Sequence, residues 1–136
     1  MRKMGLDLGD VRIGIALSDS MCIIASAYET YKRNNEIDDL KYIDKIIKEK
    51  DVDVVVVGLP LNMDGTFGDR AAKCKDFADK LAEFTKKKVV LQDERLTTVA
   101  AQKLLINSDV RREKRKQVVD KVASAIILQS YLDCIK

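Results

Sequence analysis

Residues 5–18 read GLDLGDVRIGIALS, and their second half alternates with a period of two. Val11, Ile13, Ile15 and Leu17 fall on one side, and Arg12, Gly14, Ala16 and Ser18 on the other, which is the pattern of a half-buried strand. Gly9-Asp10 supplies a two-residue hairpin turn, with Gly9 free to take positive φ. Before the turn, residues 2–8 form a short apolar strand that carries one acid, Asp7, between Leu6 and Leu8. A buried carboxylate costs several kcal/mol unless it is paired or holds a metal. An ion pair with Arg12 or Lys3 would satisfy Asp7, and so would a cation.

Working outward, residues 22–31 make a third strand and complete an antiparallel meander. From Ile37 to Lys50 the apolar positions Ile37, Leu40, Ile43, Ile46 and Ile47 recur at helical spacing. The run Val54-Val55-Val56-Val57 that follows is the composition of a parallel strand covered on both faces, and Gly58-Leu59-Pro60 ends it in a loop. A second helix fits residues 68–85, a strand 88–92, a third helix 98–107 and a fourth 116–132. The order βββ then αβαβαα predicts an α/β fold. Its mixed five-stranded sheet combines the three-stranded meander with parallel strands and is flanked by helices.

The 136 residues have the length of one domain, so residues 1–136 are expected to fold as a single unit. With 25 basic and 22 acidic residues the net charge is +3, too balanced to mark a polyanion binder by itself. No apolar run approaches the roughly 18 residues of a membrane span, and the N-terminus leads straight into a strand pattern. A cytoplasmic location without membrane contact is the expectation. Three widely separated cysteines, Cys22, Cys74 and Cys134, read as reduced thiols.

The sequence contains no histidine. That excludes Ser-His and Cys-His catalysis, a histidine base and any histidine-ligated zinc. Chemistry must rest on carboxylates, Lys, Arg, hydroxyls or a metal held by oxygen. Asp93-Glu94-Arg95 stands at the C-terminal end of a strand, where open α/β sheets bind ligands. Alternation puts Val90, Gln92 and Glu94 on one face and Asp93 on the other, so only one of these acids can share a site with Asp7. Asp120 lies near the start of the last helix, where the helix dipole would account for a first-turn acid. The segment is apolar around most of its circumference, however, and Asp120 and Ser124 form a narrow polar stripe.

Three separated acids meeting at one point would offer Mg²⁺ or Mn²⁺ the hard oxygen ligands these ions prefer. Such a site hydrolyses phosphodiesters without histidine. Residues 58–66 (GLPLNMDGT) form a loop rich in donors suited to a phosphate. Arg111-Arg112-Glu113-Lys114-Arg115-Lys116, placed between two helices, reads as a solvated charged face or as a grip on a phosphate backbone.

Gly5-Leu6-Asp7-Leu8-Gly9, Arg12 to Asp19, Val57-Gly58-Leu59-Pro60 with Met63-Asp64-Gly65-Thr66, Asp93 to Thr98, and Asp120 with Ala123 and Ile127-Leu128-Gln129 together resemble the YqgF (RuvX) family. The match spans almost the whole chain in order. This resemblance implies an RNase H-like fold and a metal-dependent nuclease of a family described in Holliday-junction resolution and in maturing the 5′ end of pre-16S rRNA. It implies Asp7, Glu94 and Asp120 as catalytic acids and ligands of Mg²⁺ or Mn²⁺. Arg12, Arg95, Arg111, Arg112, Lys114 and Arg115 are then expected to hold the nucleic acid, pre-rRNA or branched DNA, with ribosomal particles as further partners. The chain would act as a monomer or a homodimer, the latter if two strands of a junction are cut symmetrically. Two other readings compete. A non-catalytic RNA- or ribosome-associated module could use the same fold, and an Asp-x-Gly hairpin also opens actin-like ATP-binding proteins, although these clamp nucleotide between two domains.

Overall fold

The computed structural model describes residues 1–60, 64, 66, 68–93 and 112–135, with the side chains of the last helix described from Ala123 onward. Its elements are β1 (Arg2–Leu8), β2 (Arg12–Ser18), β3 (Ala25–Lys32), α1 (Glu36–Lys50), β4 (Val52–Leu59), α2 (Asp69–Thr85), β5 (Lys88–Asp93) and α3 (Arg112–Cys134). The sheet order is β3-β2-β1-β4-β5. β1 and β3 run antiparallel to β2, while β4 runs parallel to both β1 and β5. The mixed five-stranded sheet expected from the sequence is therefore present, with β1 at its centre. The helix expected at 98–107 lies outside the described residues.

Alternation along the strands sorts the core into two layers. Met4, Leu6, Leu8, Ile13, Ile15, Val55, Val57 and Leu59 face α1 and α2, meeting Ile43, Ile47, Phe77 and Leu81. Ala16, Val54 and Val56 face α3, meeting Ile127, Leu128 and Leu132. The α3 side of the meander is built from small residues, and the helix seats closely for that reason. A Cβ placed on Gly5 would stand 2.7 Å from both Leu128 Cβ and the Ser124 carbonyl oxygen. Beyond that contact Gln129 fastens the helix to the sheet: Oε1 accepts from the Ala25 amide at 2.9 Å and Nε2 donates to the Ile23 carbonyl at 3.0 Å.

Four local expectations are revised. The hairpin turn sits one residue later than Gly9-Asp10, because the Gly9 amide donates to the Arg12 carbonyl at 2.9 Å and leaves Asp10 and Val11 at the apex. Gly9 does not use a left-handed backbone; a side chain is excluded there because its Cβ would meet the Arg12 oxygen at 2.7 Å. The third strand starts at Ala25 rather than residue 22, since Cys22 is left-handed (φ 58°) within a turn closed by Asp19. Finally, α3 begins four residues before the expected 116, so Arg112 to Lys116 form its opening turns rather than an interhelical loop.

The Asp19 turn carries a pH prediction. Its Oδ1 accepts the amides of Ile23 at 2.8 Å and Ile24 at 3.0 Å, and the Ile24 and Ile23 bonds hold the carboxyl below its ordinary value. A carboxyl depressed on folding adds stability above its unfolded pKa and loses it as pH falls through the folded value. In an NMR titration the Ile23 and Ile24 amide shifts are expected to move with a midpoint below that of a free aspartate; a midpoint at the free value would exclude these bonds in solution.

Among the described residues no helix is long and apolar enough to cross a membrane. Cys22, Cys74 and Cys134 are free thiols.

Candidate metal and nucleic-acid site

Asp7 lies near the C-terminal end of β1, half-buried and directly opposite Gly14 of β2. Of the two basic partners considered from the sequence, Lys3 is taken up by another acid. Lys3 Nζ is 2.7 Å from Asp53 Oδ2, and Arg12 stands exposed at the start of β2. Strand parity puts Asp7 on the α3 side, together with Gly5 and Gly14.

The Gly14 position defines a slot between strand and helix. A Cβ there would lie 3.4 Å from Ser124 Oγ, 3.5 Å from Ser124 Cβ and 3.6 Å from Asp7 Cβ. The missing side chain thus leaves Asp7 and Ser124 bordering one small space. Ser124 is 1% exposed, and among the described residues its hydroxyl has no hydrogen-bond partner. A buried hydroxyl left unsatisfied costs about 1–3 kcal/mol, so this one calls for a polar group beyond the described residues. Asp120 precedes Ser124 by four residues on α3 and so falls on the same face of the helix, one turn on. It is the ninth residue of α3, not a first-turn residue, and the helix-dipole explanation for this acid no longer applies.

The choice between Asp93 and Glu94 is narrowed by register. Asp93 pairs with Leu59, whose side chain is in the α1 and α2 layer, so Asp93 faces away from Asp7. Gln92 faces α3, its Nε2 3.3 Å from Ser130 Oγ. Glu94 and Arg95 lie outside the described residues, as does Arg111. Arg112, Lys114 and Arg115 belong to the opening turns of α3. Among the described residues no three acids or thiols cluster as a metal site; Asp7 is the member of the predicted triad whose side chain is described.

Two further features bear on ligand contact. Thr66 gives both its amide (2.9 Å) and its hydroxyl (2.7 Å) to Asp64 Oδ1, which takes two of the donors expected to meet a phosphate. Lys32, which sequence reading missed, stands directly opposite Arg12 across β2 and β3. Periodicity could have shown that both are exposed strand residues, but not that they face each other.

The site offers a divalent cation a carboxylate and, beside it, a buried hydroxyl unsatisfied among the described residues; the space left at Gly14 is itself only the size of a methyl group. Replacing Ser124 by alanine is expected to leave the metal-free melting temperature unchanged or higher, and to weaken Mn²⁺ binding about tenfold by calorimetry. A lower metal-free melting temperature with unchanged Mn²⁺ affinity would assign Ser124 a purely structural role.

Comparison with known proteins bears on the family and the fold. In sequence, the chain is 49% identical over 135 residues, 98% of each chain, to proteins named "Putative pre-16S rRNA nuclease" from Bacillus thuringiensis (strain Al Hakam) and Bacillus anthracis (strain A0248). In structure, it resembles the fowlpox virus Holliday junction resolvase, with a TM-score of 0.58, 15% identity, and coverage of 98% of this chain and 99% of that one. It also resembles Thermus thermophilus RuvC, solved with a Holliday junction substrate, at a TM-score of 0.54 and 14% identity over 93% of this chain and 91% of that one. At these identities the structural likeness establishes the fold, which is that of the RuvC-like resolvases. The family model described as RuvX, Holliday junction resolvase, matches residues 1–134, and the chain belongs to that family.

Proposed function

We propose that this protein is a divalent-metal-dependent nuclease whose acids Asp7, Glu94 and Asp120 hold Mg²⁺ or Mn²⁺ on the α3 side of the sheet. The observation that carries this reading is the slot at Gly14, bordered by Asp7 and by the buried hydroxyl of Ser124, unsatisfied among the described residues and one helical turn from Asp120. With Asp93 turned to the opposite layer, Glu94 is the acid of that pair left to join Asp7, and it follows Gln92 by one strand period.

The cation would supply charge neutralisation at the scissile phosphate and activation of the attacking water. The residues of the chain do the rest. Asp7, on the central strand and paired with Gly14 of β2, keeps its carboxylate in place without loop motion. α3, pressed onto Gly5, holds Asp120 at a set distance from the sheet. Arg12, with Arg95, Arg111, Arg112, Lys114 and Arg115, neutralises phosphates on either side of the cut and fixes the strand's register without reading its bases. The substrate is the 5′ leader of pre-16S rRNA or a four-way DNA junction, with ribosomal particles the setting for the former.

Purified protein incubated with each substrate and Mn²⁺ is expected to cut at least one of them, and EDTA is expected to stop it. Failure on both substrates would leave the non-catalytic binding module as the better description.

A further inference from the structure

We propose that the exposed end of β2 and β3 on the Asp7 side of the sheet guides one phosphodiester strand, with Lys32 and Arg12 as its paired phosphate contacts leading to Asp7. The inference rests on the nuclease reading and adds the direction from which substrate reaches the site.

Lys32 and Arg12 are register partners at the ends of β3 and β2. The Arg33 amide donates to the Val11 carbonyl at 2.8 Å, which makes Lys32 and Arg12 the adjacent non-hydrogen-bonded pair, the arrangement that brings side chains closest. Like charges directly opposite each other on a sheet are destabilising. Both are exposed, and among the described residues neither has an ion pair. Their neighbour Arg33 shows the contrast: its Nε is 3.0 Å from Asp39 Oδ2 and its Nη1 donates to the Gly9 carbonyl at 2.9 Å, tying the hairpin to α1. Of the three cations at this end of β2 and β3, one is built into the fold. The other two are set against each other on the face that carries Asp7.

The step from them to the acid is one row of the sheet. Asp7 pairs with Gly14 and Gly14 with Thr30, forming one row across three strands, and Arg12 with Lys32 form the next row on that face. Gly14 is buried against Ser124 of α3, whereas Arg12, Thr30 and Lys32 are exposed, so a sugar–phosphate backbone would approach Asp7 from the Arg12 side rather than over Gly14. An anion between Lys32 and Arg12 would turn their repulsion into a shared attraction. A polyanion extending two residues along the strands would then arrive at Asp7.

The test measures binding of a short fluorescein-labelled single-stranded RNA, and of a labelled four-way DNA junction, by anisotropy in EDTA across a salt series. Lys32→Gln is expected to weaken binding about fivefold at 0.1 M salt and to make the log K against log salt slope shallower by about 0.7. Its free form should melt no lower than the wild type, because the replacement relieves repulsion. Lys45→Gln, at an exposed lysine on α1 beyond the opposite layer, controls for net charge. An unchanged slope in Lys32→Gln overturns the guiding pair, and so does an equal change in Lys45→Gln. A wild type that binds neither probe removes the nuclease reading as well. A wild type that binds and cuts while Lys32→Gln behaves identically removes the guiding pair alone.

Discussion

Asp7→Asn is expected to abolish metal-dependent cleavage while leaving a folded protein. Asparagine has nearly the shape of aspartate, so the pairing of β1 with β2 and β4 is retained. What is lost is the negative charge that a divalent cation needs from its first ligand. Even outer partners of a metal ligand cost about 10–100-fold when removed, so loss of the ligand itself should reduce cleavage by more than about a hundredfold. The same variant gives a reading independent of turnover. At Mn²⁺ about a hundred times above its dissociation constant, binding to the native state adds about 2.7 kcal/mol of stability. That gain should appear in wild-type melting curves and be absent in Asp7→Asn. A variant that cuts normally and is still stabilised by Mn²⁺ would place the cation elsewhere.

Gly5→Ala is expected to produce the largest loss of stability among single-methyl additions. Its Cβ would fall 2.7 Å from Leu128 Cβ and 2.7 Å from the Ser124 carbonyl oxygen, and one of these obstacles is helix backbone that cannot rotate aside. Either α3 lifts from the sheet or β1 bends. Overpacking of this kind costs about 1–3 kcal/mol, and the backbone clash puts Gly5→Ala at the upper end, roughly 10 °C in melting temperature. Because α3 carries the proposed ligand Asp120, cleavage is expected to fall further than the folded fraction does. Gly14→Ala is the contrasting case. Its Cβ meets neighbours only at 3.4–3.6 Å, so the fold should survive while the slot beside Asp7 fills. A Gly5→Ala protein that melts like the wild type would mean that α3 is not seated as closely in solution.

Much of this was legible along the chain because periodicity and apolar runs record which side of an element is buried. Ile13 and Ile15 alternate with Gly14 and Ala16, and the two sets do face different layers. The valine run of β4 is buried from Val54 to Val57, as expected of a strand covered on both sides. The turns were harder to place. Cys22 adopts a left-handed backbone that its residue type does not announce, and it delays β3. The start of α3 was missed because its first turns are a charge run, with no apolar stripe to mark a helix.

The sequence by itself determined the element types, the sheet's mixed character, the exclusion of histidine chemistry and the acids from which a site could be made. Only the tertiary structure decided that Asp93 turns away from Asp7, that Ser124 is buried near Asp7 with no hydrogen-bond partner among the described residues, and that Lys32 confronts Arg12. These three facts depend on strand register and on how closely a helix settles onto a sheet. Both are set by contacts between residues far apart in the chain, where local pattern carries no information about which residue stands opposite which.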